Sequence, residues 1–132
     1  MIRIAVAAVL LLWSVSASAA TLYVNNSGTP TCSDATAKAS NTASAPWCTV
    51  YRAAHGAAAG SGDDGAQAAA AGDIVTVTAG TYTGPATSTR NNPSLNPANS
   101  GSSGNYITFQ CASGTCQLTT NSGVGPVFGA YV

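Results

Sequence analysis

Gly72-Asp73-Ile74-Val75-Thr76-Val77-Thr78-Ala79-Gly80-Thr81-Tyr82 is the stretch on which the reading of this chain turns. Gly72-Asp73 is a turn. Residues 74–78 are strongly β-branched, and branching at Cβ suits a pleated, half-buried surface. Ala79-Gly80 bends the chain, and Thr81-Tyr82-Thr83 opens another short strand.

Working upstream, residues 66–71 read either as a short second helix or as an extended linker. Gly60-Ser61-Gly62-Asp63-Asp64-Gly65 ends a helix expected over residues 50–59, with Thr49 as N-cap. Val50, Ala53, Ala54, Ala57 and Ala58 give that helix an apolar stripe at helical spacing. Residues 26–45 are small and polar and read as a loop. Thr21-Leu22-Tyr23-Val24 alternates as a strand, with Leu22 and Val24 on one face.

Downstream, residues 85–104 are loop-like. Tyr106-Ile107-Thr108-Phe109-Gln110-Cys111 alternates, with Ile107, Phe109 and Cys111 directed to a core. Cys116-Gln117-Leu118-Thr119-Thr120 repeats the pattern, and residues 127–132 begin one more apolar strand.

Three of these segments occur in a familiar order. Leu22-Tyr23-Val24-Asn25 is followed by Ala45-Pro46-Trp47-Cys48-Thr49-Val50-Tyr51-Arg52-Ala53-Ala54, and then by the segment quoted first. Over about residues 21–118 the chain resembles the N-terminal cap and first coils of secreted proteins of the pectin-lyase-like superfamily. The resemblance implies an all-β fold: a right-handed parallel β-helix with a short N-terminal capping helix, present as an N-terminal fragment of few coils. Coils of such a solenoid need neighbours to bury their faces, and its ends need caps. The helix at 50–59 would cover the first coil, whereas the apolar strand at 127–132 has no cover. The expectation is therefore an N-terminal part of a longer β-helix domain over residues 21–132. The lengthened connection at 60–71 departs from the family pattern.

The first twenty residues read as a secretory signal peptide. Arg3 supplies a positive start, and the apolar run over residues 4–15 matches the roughly 7–15 residues of a leader core. Ser16-Ala17-Ser18-Ala19-Ala20 follows. Ala17-x-Ala19 permits cleavage before Ala20, and Ser18-x-Ala20 permits it before Thr21. The run is short of the roughly 20 residues that span a bilayer, and no later stretch is hydrophobic enough. The expected location is secreted, periplasmic or cell-surface, with no membrane span after cleavage.

About 112 residues then remain, one domain at most. Lys38, Arg52 and Arg90 face Asp34, Asp63, Asp64 and Asp73, with no glutamate. No basic face is available for a phosphate backbone, so nucleic acid is not an expected partner. Cys32, Cys48, Cys111 and Cys116 all lie in the exported part, where disulfides persist. Of the three possible connectivities, Cys32–Cys48 and Cys111–Cys116 join the pairs closest in sequence. The spacings lack the paired short repeats of a zinc site, and His55 is the only histidine.

No catalytic, cofactor or metal site emerges. Asp63 and Asp64 suit a hard cation such as calcium, although adjacent aspartates in a Gly-rich loop are more often solvated. Asp73 is expected to stabilise the turn before residue 74. Arg90 sits in a polar loop; lyases of the resembled superfamily often use an arginine or lysine as base, but from a central coil, which counts against Arg90. His55 lies one turn after Arg52 with no acidic partner in reach in the sequence. Trp47 and Tyr51 are expected to pack the cap. Tyr23, Tyr82 and Tyr106 are candidates for stacking on sugar rings, against the commoner role of core residue. Asn25-Asn26-Ser27 is a formal glycosylation sequon.

Three functions are consistent with this pattern. The first is a polysaccharide lyase or glycoside hydrolase whose catalytic coils lie beyond this chain, because the charged clusters that such chemistry needs are missing here. The second is a non-catalytic surface or adhesion protein that binds glycan. The third is a small secreted β protein held by two disulfides.

Overall fold

In a computed structural model of the chain, residues 18–57, 62–83, 97–120 and 123–129 are described. Strand β1 is Thr21–Val24, β2 is Ile74–Val77 and β3 is Gly80–Thr83. Strand β4 is Thr108–Cys111, β5 is Thr115–Thr120 and β6 is Gly123–Gly129. Helix α1 spans Val50–His55, and a 3-10 turn spans Lys38–Ser40.

The strands form two three-stranded sheets, β1-β2-β4 and β3-β5-β6. The first is parallel throughout, with Thr21, Ile74 and Thr108 in one register row and Val24, Val77 and Cys111 in another. In the second, β3 pairs with β5 in parallel, but β6 folds back antiparallel on β5.

This corrects the expected right-handed parallel β-helix. The described residues form short strands in two small sheets, with no β-helix coils, and the second sheet closes on an antiparallel pair. The physical reason lies in the connection. An antiparallel return needs only a tight link, whereas another parallel strand needs a crossover of a dozen or more residues. The step from β5 to β6 is short enough only for the former. Short β-branched runs bounded by turns are common to both architectures, so their alternation does not separate them.

Alternation does account for the core. Leu22, Val24, Val75 and Val77 are essentially buried, while Thr21 and Ile74, which precede them, are exposed and Tyr23 and Thr76, which lie between them, are half-buried. On β4, Cys111 is buried, but Phe109, and Ile107 just before the strand, are only half-buried against the same core. Trp47 is completely buried. Removing such a ring from water is worth roughly 4–6 kcal/mol as an upper figure.

Helix α1 is shorter than expected. Thr49 does cap it, its Oγ1 accepting from the Arg52 amide at 3.0 Å. Gly56 ends it at φ 73°, and a Cβ there would lie on the Asp64 carbonyl oxygen. Residues 58 and 59 of the expected helix lie outside the described residues, as do residues 130–132 of the last expected strand. Residues 66–71 form turns rather than a helix, with Ala68 and Ala69 buried.

Candidate functional site

The outward face of the first sheet is the candidate site. Because β1, β2 and β4 are parallel and in register, alternate residues stand in rows across them. Thr21, Ile74 and Thr108 form one row, and all three are exposed. Tyr23, Thr76 and Gln110 form the next, with Gln110 Nε2 donating to Thr76 Oγ1 at 3.4 Å. Tyr106 lies two residues before Thr108 and is 68% exposed. Neither row contains a charged side chain. A cavity of about 400 Å³ borders this face at Thr21 and is also lined by Leu22, Lys38, Asn41, Ala66 and Gln67.

The polar groups in that cavity are occupied by the fold. Lys38 Nζ lies 2.7 Å from Asp73 Oδ2 and donates to the Ala68 carbonyl at 2.9 Å. The Gln67 side-chain oxygen accepts from the Lys38 amide at 2.9 Å. Asn41 accepts from the Tyr23 amide at 2.6 Å and donates to the Tyr23 carbonyl at 3.0 Å. On that edge of β1 it joins the Trp47 backbone, which also donates to the Tyr23 carbonyl and accepts from the Asn25 amide.

Of the three tyrosines considered for stacking, only Tyr106 is strongly exposed. Tyr23 is half-buried. Tyr82 is a core residue whose hydroxyl donates to the Thr78 carbonyl at 2.8 Å, and burial pushes its phenol pKa up. The sequon residue Asn25 is used inside its own turn. Its side-chain oxygen accepts from the Ser27 amide and its nitrogen donates to the Thr29 carbonyl.

The titratable residues are distributed differently from the sequence expectation. His55 does have an acidic partner: its Nδ1 lies 2.8 Å from Asp63 Oδ1, and its ring stacks on Tyr51 at 4.1 Å. The chain returns over residues 62–64 to make this contact, which sequence spacing does not reveal. Asp64 Oδ1 accepts from the Ala66 amide. Among the described residues no group of three or more His, Cys, Asp or Glu side chains is placed to hold a metal ion. Arg90 lies outside the described residues.

Asp73 has a larger role than turn stabilisation. It is 3% exposed and accepts from the Ala20 and Ala70 amides, both at 2.8 Å, beside Lys38. Burial pushes its carboxyl pKa up. The Lys38 side chain, the Ala20 and Ala70 amides and the Lys38 charge outweigh that effect and leave it below the ordinary value.

Two disulfides join Cys32 to Cys48 and Cys111 to Cys116. The first closes the loop ahead of α1. Within that loop Asp34 Oδ1 accepts from the Cys48 and Thr49 amides, and Oδ2 accepts from the Thr49 hydroxyl. Among the described residues no helix is long and apolar enough to cross a membrane.

The chain matches no family model, no curated protein and no solved structure.

Proposed function

We propose that this chain is an exported, disulfide-closed β module that binds neutral extracellular polysaccharide on the outward face of its first sheet and performs no chemistry on it. The supporting observation is the pair of uncharged rows, Thr21-Ile74-Thr108 and Tyr23-Thr76-Gln110, with Tyr106 exposed beside them. Hydroxyl and amide groups match sugar hydroxyls, and an exposed ring offers an apolar platform for a sugar face.

Recognition of a uronate polymer or a nucleic acid would call for accessible cations. Among the described residues, Lys38 is held by Asp73 and Arg52 donates to three backbone carbonyls in the interior. Export is supported by the leader, which ends at Ala19 or Ala20, and by two disulfides, which persist chiefly in oxidising surroundings.

Affinity electrophoresis in gels cast with a neutral glucan and with polygalacturonate tests this reading. Retardation by the neutral polymer is expected, and Tyr106→Ala should weaken it roughly 3–10-fold, the worth of one aromatic contact. Retardation by the uronate polymer alone would exclude it.

A surface or adhesion role is the second reading. It is favoured by the polar ladder on the second sheet, where Thr83 and Thr119 hydroxyls lie 3.2 Å apart and Thr81 Oγ1 donates to Gln117 at 3.5 Å.

A further inference from the structure

Ala20 is bonded into the fold through both of its backbone groups. Its N–H donates to Asp73 Oδ1 at 2.8 Å, and its carbonyl accepts from the Ile74 amide at 2.9 Å. These two bonds tie the start of β1 to the start of β2. The other oxygen of Asp73 accepts from the Ala70 amide and contacts the Lys38 ammonium.

The leader permits cleavage at either of two bonds, Ala19–Ala20 or Ala20–Thr21, and the fold treats them unequally. Cleavage after Ala20 would remove both contacts. The Ile74 N–H and one oxygen of a buried carboxylate would then lose their partners, a costly arrangement in a folded protein. Cleavage after Ala19 keeps both contacts and changes the nature of one. Hydrolysis of that peptide bond consumes one water, leaves a carboxylate on Ala19 of the released leader, and leaves a protonated amine on Ala20. A neutral amide donor to Asp73 becomes a cationic one, and charge-assisted hydrogen bonds are the stronger class.

We propose that Ala20 is the first residue of the mature chain and that its α-ammonium joins Asp73 and Lys38 in an ion cluster that clamps β1 onto β2. Processing thus completes the fold: the precursor has one cation at Asp73, and the mature protein has two. This inference rests on the export reading above. The ionisable groups facing the new amine are Asp73 and Lys38. The carboxylate in direct contact raises the amine's pKa against the opposing charge of Lys38 on the other carboxylate oxygen, so the clamp is intact at neutral pH and is lost as the pH rises through the raised value.

Expression of the full chain in an exporting host, followed by N-terminal sequencing and intact mass of the exported product, tests the assignment. The expected first residue is Ala20. A product that begins at Thr21 overturns the inference and leaves export intact, whereas an uncleaved chain overturns both. The ion cluster is then tested on the same product by NMR titration of the α-amine. Titration above the ordinary range of about 7.7–8.0 is expected, with a return to that range in Asp73→Asn. An ordinary value in the wild-type product refutes the clamp, whether or not the variant folds.

Discussion

Arg52 places its guanidinium 4.7 Å from the centroid of the Trp47 ring, and both side chains are buried. The two also share an acceptor, since Trp47 Nε1 and an Arg52 terminal nitrogen both donate to the Thr36 carbonyl, at 2.8 and 3.1 Å. Arg52 Nε donates to the Asp34 carbonyl and the other terminal nitrogen to Gln67. One buried cation thereby holds the disulfide loop, helix α1 and the turn at Gln67 together. Burial pushes its pKa down, and the charges of Asp34 and Asp64 oppose that shift.

Arg52→Lys is therefore not a conservative change, because an ammonium cannot reproduce a planar fork aimed at three carbonyls. A loss of about 2–3 kcal/mol is expected, read from the urea midpoint at unchanged slope. A variant within about 0.5 kcal/mol of wild type would show that the network contributes little.

Asn41 bonds both Tyr23 backbone groups on the outer edge of β1, beside the Trp47 bridge. Asn41→Ala should cost about 1–2 kcal/mol. The Trp47 bridge still covers that edge, so the loss is expected as a lower urea midpoint with the chain's association state unchanged on size-exclusion chromatography.

Asp73 carries an acid dependence whose sign follows from its lowered pKa. The unfolded carboxyl titrates near the ordinary value of about 3.9. The stability contributed by the group is present above that pH and is lost as the pH falls through the lower folded value. Stability should thus decline on acidification below about pH 4, and Asp73→Asn should flatten that decline while lowering stability at neutral pH. Thermal melts across an acid pH series supply the comparison.

The two disulfides are unequal. Cys32–Cys48 spans 16 positions and Cys111–Cys116 only 5. In the chain-entropy model their removal costs about 3 and about 2 kcal/mol respectively. Paired Cys→Ala variants, unfolded in urea without reductant, should preserve that order.

Much of this fold is legible along the chain. The alternation of Leu22 and Val24, and of Val75 and Val77, marks the buried faces of β1 and β2, because side chains on a strand alternate with period two. Thr49 is recognisable as an N-cap from its place before the apolar stripe. What escapes a linear reading is what loops bring back. Asp63 reaches His55 only because residues 62–64 pass beneath the helix end, and Asn41 bonds β1 only because the 3-10 turn delivers it to Tyr23. Arg52 gives no sequence signal at all, since its acceptors are backbone carbonyls that any residue could carry. The antiparallel return of β6 is a property of a short connection and not of strand composition. For the candidate site, the outward parity of Thr108 and Gln110 is readable, but their alignment with Thr21 and Tyr23 across two further strands is not.

NMR mapping locates the surface on which a neutral glycan would bind. A neutral glucan oligosaccharide titrated into the exported, labelled protein is expected to shift the amide signals of Thr21, Ile74, Thr76, Thr108 and Gln110 together with Tyr106, while a galacturonate oligomer leaves them in place. Shifts confined to other surfaces, or a response to the uronate oligomer alone, would contradict the account.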